Sequence, residues 1–189
     1  LKCAQELSDA HVDVMGYACL VAIMSMGRGY HCVSEVNLHQ ETVANDFPTP
    51  IVTSAGALIN GLKVLGAKQI SIITPYMRPL TDMVVDYIEN QGIKVKQSIA
   101  LEIPDNLEVA AQNPMNLLEI YKQLDLTDVD VLVASACVQM PSLEAIDLIQ
   151  AECGIPVTSA AVCTTYEMMK KLGIEAKSAI GGELLSGKY

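Results

Sequence analysis

The chain has 189 residues, of which 51% are hydrophobic, and 22 acidic against 12 basic residues give it a formal net charge of −10. A chain of this size buries roughly 70% of its unfolded surface, so a full core is available and a disordered or low-complexity segment is excluded. The only arginines are Arg28 and Arg78, and without a basic stripe to neutralise phosphates a nucleic-acid partner is not expected.

The chain opens Leu1-Lys2-Cys3-Ala4-Gln5-Glu6, with neither an initiator methionine nor the charged and apolar regions of a signal peptide. No apolar run approaches the roughly 18 residues of a spanning helix, since 18–26 is closed by Gly27 and Arg28. The expectation is a soluble, cytoplasmic protein without membrane contact, whose sequence starts part-way through a longer one. Val12-Asp13-Val14 leads into Ala18-Cys19 as a short strand giving way to a loop or helix, and glycines punctuate 27–37 as they would a loop. Ser54 reads as the cap of a helix with Leu58, Ile59, Leu62 and Leu65 on its apolar face, stopped by Gly66. Residues 70–74 are a β run and 81–90 a helix carrying Met83, Val84, Tyr87 and Ile88. Alternation of Ile93, Val95, Ile99 and Leu101 makes 93–101 a strand.

Pro104 to Pro114 reads as a further loop, and 114–124 predict a helix with Leu117, Leu118 and Tyr121 on one face. Residues 129–136 are nearly all apolar, as a central parallel strand is. Ser142 caps a helix over 143–153, and Ile155-Pro156-Val157 is a last strand. Thr164-Thr165-Tyr166-Glu167 has capping-box form and opens a final helix stopped by Gly173.

Repeated strand–helix alternation gives an α/β fold, parallel sheet with helices on both faces. Val129-Asp130-Val131 before Ala136-Cys137 weakly repeats Val12-Asp13-Val14 before Ala18-Cys19. Each cysteine then ends an apolar strand, the place where open α/β sheets bind ligands. One such cysteine per half suggests two pseudo-symmetric domains with the site in the cleft between them. Residues 1–52 plus about 160–189 would form the first and 53–159 the second.

Six cysteines stand at 3, 19, 32, 137, 153 and 163 without a CxxC pair, so a zinc site has no sequence support, and adjacent His31 and Cys32 face apart on regular structure. No metal site is expected. Reduced thiols are expected, with Cys3, Cys32, Cys153 and Cys163 as packing residues.

The segments Tyr17-Ala18-Cys19-Leu20-Val21-Ala22, Thr53-Ser54-Ala55-Gly56-Ala57-Leu58, Ile73-Thr74-Pro75-Tyr76-Met77 and Ser135-Ala136-Cys137-Val138-Gln139-Met140-Pro141 closely resemble the maleate cis-trans isomerases of the aspartate/glutamate racemase superfamily. The resemblance runs over essentially the whole chain. It implies two pseudo-symmetric α/β domains with one catalytic cysteine each, no cofactor, maleate as substrate and a homo-oligomer, a homodimer above all. It assigns Cys19 as nucleophile, Cys137 as the second cysteine, and Tyr76 and Asn106 as substrate contacts. The family opens with a βα unit whose loop carries another substrate-binding asparagine, and nothing in this sequence corresponds to it.

Maleate has a double bond that blocks rotation, between carbons made electrophilic by two carboxylates. A group that adds to one carbon and then leaves permits rotation to fumarate, and a thiolate does both better than serine. Cys137 would supply or remove a proton at the other carbon. Charge developing on a carboxylate needs preorganised donors: the Tyr76 hydroxyl, the Asn106 amide, and the backbone N–H groups of Leu20, Val21 and Val138. An amino-acid racemase of the same superfamily is the nearest alternative, but its cysteines typically sit in Cys-Asn-Thr and Cys-Thr-Glu contexts, not before Leu20-Val21 and Val138-Gln139. A decarboxylase relative would keep one cysteine of the pair. A non-catalytic small-acid binding or thiol redox-sensing domain is the alternative of a different class.

Overall fold

In a computed structural model of residues 1–189, two parallel sheets carry the chain. The first pairs β1 (Met15–Tyr17) with β2 (Ile51–Thr53), Tyr17 opposite Thr53. Between these strands lie α2 (Leu20–Met24) and the fifteen-residue α3 (Tyr30–Ala44), and α1 (Lys2–Ser8) precedes them. The second sheet has the order β4-β3-β5-β6, built from β3 (Gln69–Thr74), β4 (Lys94–Ala100), β5 (Val131–Ser135) and β6 (Val157–Ser159). Its connections run through α5 (Arg78–Glu89), the short α6 (Asn106–Ala110) and α7 (Leu117–Ile120), and α8 (Leu143–Cys153). Every residue of β5 and β6 is buried, which a strand covered on both faces requires of its sequence, while no residue of the edge strand β4 is fully buried.

The two sheets share one core. Leu20, Ile23 and Met24 from α2 belong to the same cluster of 39 buried residues as Ile70, Ile72 and Ile73 from β3 and Leu132 and Val133 from β5. Helices α4 (Ser54–Val64), which leaves β2, and α9 (Ala160–Lys171), which leaves β6, pack against each other at the junction. At Gly61 a Cβ would lie 2.6 Å from Cys163 Sγ and 3.1 Å from Leu184 Cδ2, so glycine sets how closely these helices approach. No helix is long and apolar enough to cross a membrane.

The alternation of elements is as expected, but several boundaries move. Thr53, not Ser54, caps α4, its hydroxyl accepting from the Gly56 N–H at 3.1 Å. Helix α9 begins at Ala160, capped by Ser159, and Thr164 lies inside it with its hydroxyl donating to the Ala160 carbonyl. The expected helix over 114–124 breaks into a 3-10 turn, the single α turn α7 and another 3-10 turn. Helix α5 starts at Arg78, with Pro79 in its first turn where a missing N–H costs nothing. Most of 27–37 is helical from Tyr30 onward, and 104–114 contains α6. Val12-Asp13-Val14 precedes strand β1 instead of forming it, as Val129-Asp130 precedes β5. There Asp130 accepts from the N–H groups of Lys68 and Gln69, both at 2.8 Å, and fixes the start of β3 beside β5.

The junction makes a prediction. Gly to Ala inside a helix favours the helix by about 1 kcal/mol, but a methyl group forced onto a buried sulfur costs about 1–3 kcal/mol. Gly61→Ala is therefore expected to lower the urea midpoint, and adding Cys163→Ala to restore it.

Candidate active site

Cys19 is the N-cap of α2, two residues beyond the end of β1, with extended backbone (φ −128°, ψ 91°) and an exposed side chain. The turn is forced by its neighbours. Leu20 is 1% exposed and anchors α2 in the core, so the chain must leave β1 sharply and present Cys19 outward. The first N–H groups of a helix have no partner within it, and here they belong to Leu20 and Val21, the two residues that follow Cys19. Leu20 thus offers only its backbone to the site, and the half-buried Val21 follows it in the same turn.

Cys137 stands two residues beyond the end of β5 and is buried, 7% exposed. Its turn is folded around a hydroxyl that sequence reasoning gave no role. Ser135, fully buried, donates to the Cys137 carbonyl at 2.8 Å and lies 3.5 Å from the Met140 carbonyl, while the Cys137 N–H reaches back to Ser135 Oγ at 3.4 Å. Val138, half-buried, follows on the loop that leads to α8.

Tyr76 lies two residues past the end of β3. Its hydroxyl donates to the Ala136 carbonyl at 3.1 Å. Burial above all holds its proton in place, and the sulfurs of Cys137, within its hydrogen-bonding reach, and of Cys19 push in the same direction, raising the phenol far above its ordinary value of 10.0. The Tyr76 hydroxyl is thereby tied to the residue before Cys137 and keeps its proton at any working pH. Asn106 is the exposed first residue of α6, behind Asp105, whose carboxylate caps that helix by accepting from the Leu107 N–H at 2.6 Å. Gln139 donates from Nε2 to the Asn106 carbonyl at 2.8 Å and ties this segment to the Cys137 loop.

Lysine and arginine are absent from this set, so a dianion there meets backbone N–H groups, an amide and a phenol. Nor does the chain arrange three or more His, Cys, Asp or Glu side chains to hold a metal ion. The cavity of about 510 Å³ beside β1, lined by Leu7, Met15, Tyr17, Ile23 and Leu38 among others, contains neither cysteine, and one of about 520 Å³ reaches only Val138 of the set. Strand-end geometry, not cavity size, locates the site.

A signal in the sequence could have found more of it. Val52-Thr53-Ser54-Ala55 recurs as Val157-Thr158-Ser159-Ala160, and both tetrads end the strand that neighbours a cysteine strand, β2 beside β1 and β6 beside β5. The remaining cysteines differ sharply: Cys3 and Cys32 are exposed, whereas Cys163 is fully buried, and burial raises its thiol to about 12. Native alkylation with iodoacetamide at pH 8 is therefore expected to label Cys3, Cys19 and Cys32 and to spare Cys163 until the chain unfolds. Peptide mass spectrometry checks this, and labelling of Cys163 at the rate of Cys3 would contradict it.

Residues 2–185 match the family model described as arylmalonate decarboxylase. The chain is 55% identical over 188 residues to a maleate isomerase of Geobacillus stearothermophilus, covering 100% of this chain and 75% of that protein. A crystal structure of a maleate isomerase from Pseudomonas putida S16, a cysteine-to-alanine variant with maleate, superposes with a TM-score of 0.98 at 58% identity, covering 100% of this chain and 75% of the other. The Nocardia farcinica maleate cis-trans isomerase, a cysteine-to-serine mutant with a covalently bound succinylcysteine intermediate, gives 0.95 at 38% identity, with 100% and 77% covered. The family model over residues 2–185 and the identity to maleate isomerases over the whole of this chain, which spans about three quarters of their length, place the chain in the arylmalonate decarboxylase family, in its maleate isomerase branch.

Proposed function

We propose that the chain isomerises maleate to fumarate without a cofactor, through a covalent adduct on Cys19. The observation that carries this reading is the placement of two cysteines each two residues beyond the end of a parallel strand, Cys19 after β1 of one sheet and Cys137 after β5 of the other, with the Tyr76 hydroxyl bonded to the residue before Cys137. Exposed Cys19 is the nucleophile and buried Cys137 the acid and base. The Cys19 thiolate forms a carbon–sulfur bond to one alkene carbon, and the π electron pair moves to the other carbon and its carboxylate. Cys137 delivers its proton to that second carbon, leaving a succinyl group on Cys19 whose central bond is single and rotates. The Cys137 thiolate then takes the proton back, the double bond re-forms, and the Cys19 thiolate leaves, so atoms and charge return to their starting count.

Each remaining residue has a place in that sequence. Charge moves onto a carboxylate during addition, and the donors we assign to it are the N–H groups of Leu20, Val21 and Val138, the Asn106 amide, and the Tyr76 hydroxyl once its proton turns from the Ala136 carbonyl to the substrate. Donors of this kind bind a dianion without a salt bridge, as helix starts do. The domain division that fits this reading is 1–52 plus about 160–189 against 53–159, supported by the separate sheets. A homodimer is the assembly we expect, supported by Val33, Val36 and Val43, three exposed valines along one face of α3. Six cysteines without a disulfide support a cytoplasmic location, and neither nucleic acid nor membrane has a place in the reading.

Proton NMR of maleate with the chain and a chelator tests the function: the alkene signal of fumarate is expected to grow, and its absence would overturn the reading. Cys19→Ala is expected to abolish conversion, while Cys137→Ala retains nucleophilic addition but turns over far more slowly. Tyr76→Phe removes one oxygen and little volume. It is expected to lower kcat about tenfold to a thousandfold with an unchanged melting temperature, the range for one charge-stabilising donor. Equal rate and equal melting would reduce Tyr76 to a packing residue.

A further inference from the structure

The two Val-Thr-Ser-Ala tetrads end equivalent strands but do not cap their helices with the same residue. In the second half Ser159 is the cap, accepting from the Val162 N–H at 3.2 Å, and the Thr158 hydroxyl pairs with Cys163 Sγ at 3.3 Å. In the first half the cap shifts back by one residue to Thr53, and a carboxylate accounts for the shift. Glu35 of α3 accepts through Oε1 from the Thr53 backbone N–H at 3.0 Å and from the Thr53 hydroxyl at 2.8 Å. With its proton committed to Glu35, the Thr53 oxygen presents its lone pairs to Gly56. Ser54, released from capping, donates instead to the Tyr17 carbonyl at 3.3 Å, on the neighbouring strand and two residues before Cys19.

The surroundings are shaped for this carboxylate. A Cβ at position 56 would lie 2.7 Å from Glu35 Oε1 and 3.1 Å from His31 Cδ2, so glycine there leaves the acid its room. The helix that carries Glu35 is itself pinned one turn earlier. The Tyr87 hydroxyl of α5 accepts from the His31 backbone N–H at 3.1 Å and meets His31 Nδ1 at 2.6 Å. Which of the two donates at Nδ1 follows from the imidazole tautomer.

We propose that Glu35 is a positioning residue for the isomerisation: its carboxylate holds the end of β2, through Ser54 the end of β1, and thereby the direction in which the Cys19 sulfur points. This rests on the reading of Cys19 as the nucleophile. Addition to an alkene demands a sulfur aligned with the π orbital, and misplacement by about 1 Å costs on the order of a hundredfold in rate. No equivalent carboxylate braces the tetrad of the second half, where Cys137 moves a proton and its own turn is braced by Ser135.

Three variants separate positioning from folding. Glu35→Ala removes both bonds, Glu35→Asp keeps the charge but falls one methylene short, and Glu35→Gln keeps an acceptor oxygen at the same reach. The kcat for maleate is expected to fall about tenfold to a hundredfold in the alanine and aspartate variants with KM within about twofold, and glutamine to recover to within about threefold of wild type. Without substrate, alkylation of Cys19 measured against exposed Cys3 in the same molecule is expected to fall at least about threefold in the first two variants and to hold in the third. Should Glu35→Ala not fold, aspartate against glutamine carries the same contrast. A Glu35→Asp chain that matches wild type in kcat and labelling ratio overturns the proposal, as does a loss carried wholly by KM. If the wild-type chain does not convert maleate, the proposed function falls, and the labelling ratio alone decides the role of Glu35.

Discussion

Helices α4 and α9 each leave the carboxyl end of a strand, and they meet where Gly61 has no room for a methyl group beside Cys163. Because α4 continues from β2 and α9 from β6, their separation fixes how far apart the ends of the two sheets stand. Cys19 and Cys137 follow the ends of the strands beside those, β1 and β5, so a contact that neither thiol makes helps to set their relative placement. A proton shuttle and a nucleophile that act on adjacent carbons tolerate little error in that placement. The main core serves the same end by packing α2 and Val52 of the first sheet against the second, while Met15 and Ile51 form a small cluster of their own with Ala4.

The site answers an electrostatic difficulty as well. A chain with net charge −10 is expected to bind a dianion, and no arginine or lysine stands among the residues that would hold it. In the proposed reading fixed donors take the place of a salt bridge, since a backbone N–H at a helix start or a buried phenol keeps its orientation and does not reorganise as charge moves across the substrate. Neutral donors also leave the second carboxylate free to turn during rotation about the central bond, which a bidentate arginine would oppose.

Much of this was legible in the amino-acid order. The apolar run around Val131 to Ala134 announces a buried strand, and the residue types that follow it place Cys137 at its end. Cys19 could be read in the same way from Ala18 and the apolar Leu20-Val21-Ala22 after it. Helix starts were less legible, because capping is a local competition. Thr164 with Glu167 has the form of a capping box, yet β6 runs straight into α9 and the extended backbone of Ser159 takes the cap first. The same ambiguity made Ser54 the expected cap where Thr53 serves. Glu35, Ser135 and Gln139 lay beyond reach for another reason. Glu35 and Gln139 act through partners brought near by the fold, Thr53 eighteen positions away and Asn106 thirty-three away, while Ser135 acts within its own turn, and no periodicity records such contacts.

The central claim is that a carbon–sulfur bond to Cys19 lies on the path from maleate to fumarate. Cys137→Ser weakens proton removal from the adduct, so the adduct is expected to persist. Acid quenching of this variant with maleate, followed by peptide mass spectrometry, tests the claim directly. One maleic acid equivalent on the peptide that contains Cys19, and on no other, is the predicted result. Conversion to fumarate by the wild-type chain with the adduct on a different cysteine in this variant, or with none under any quench, would contradict it.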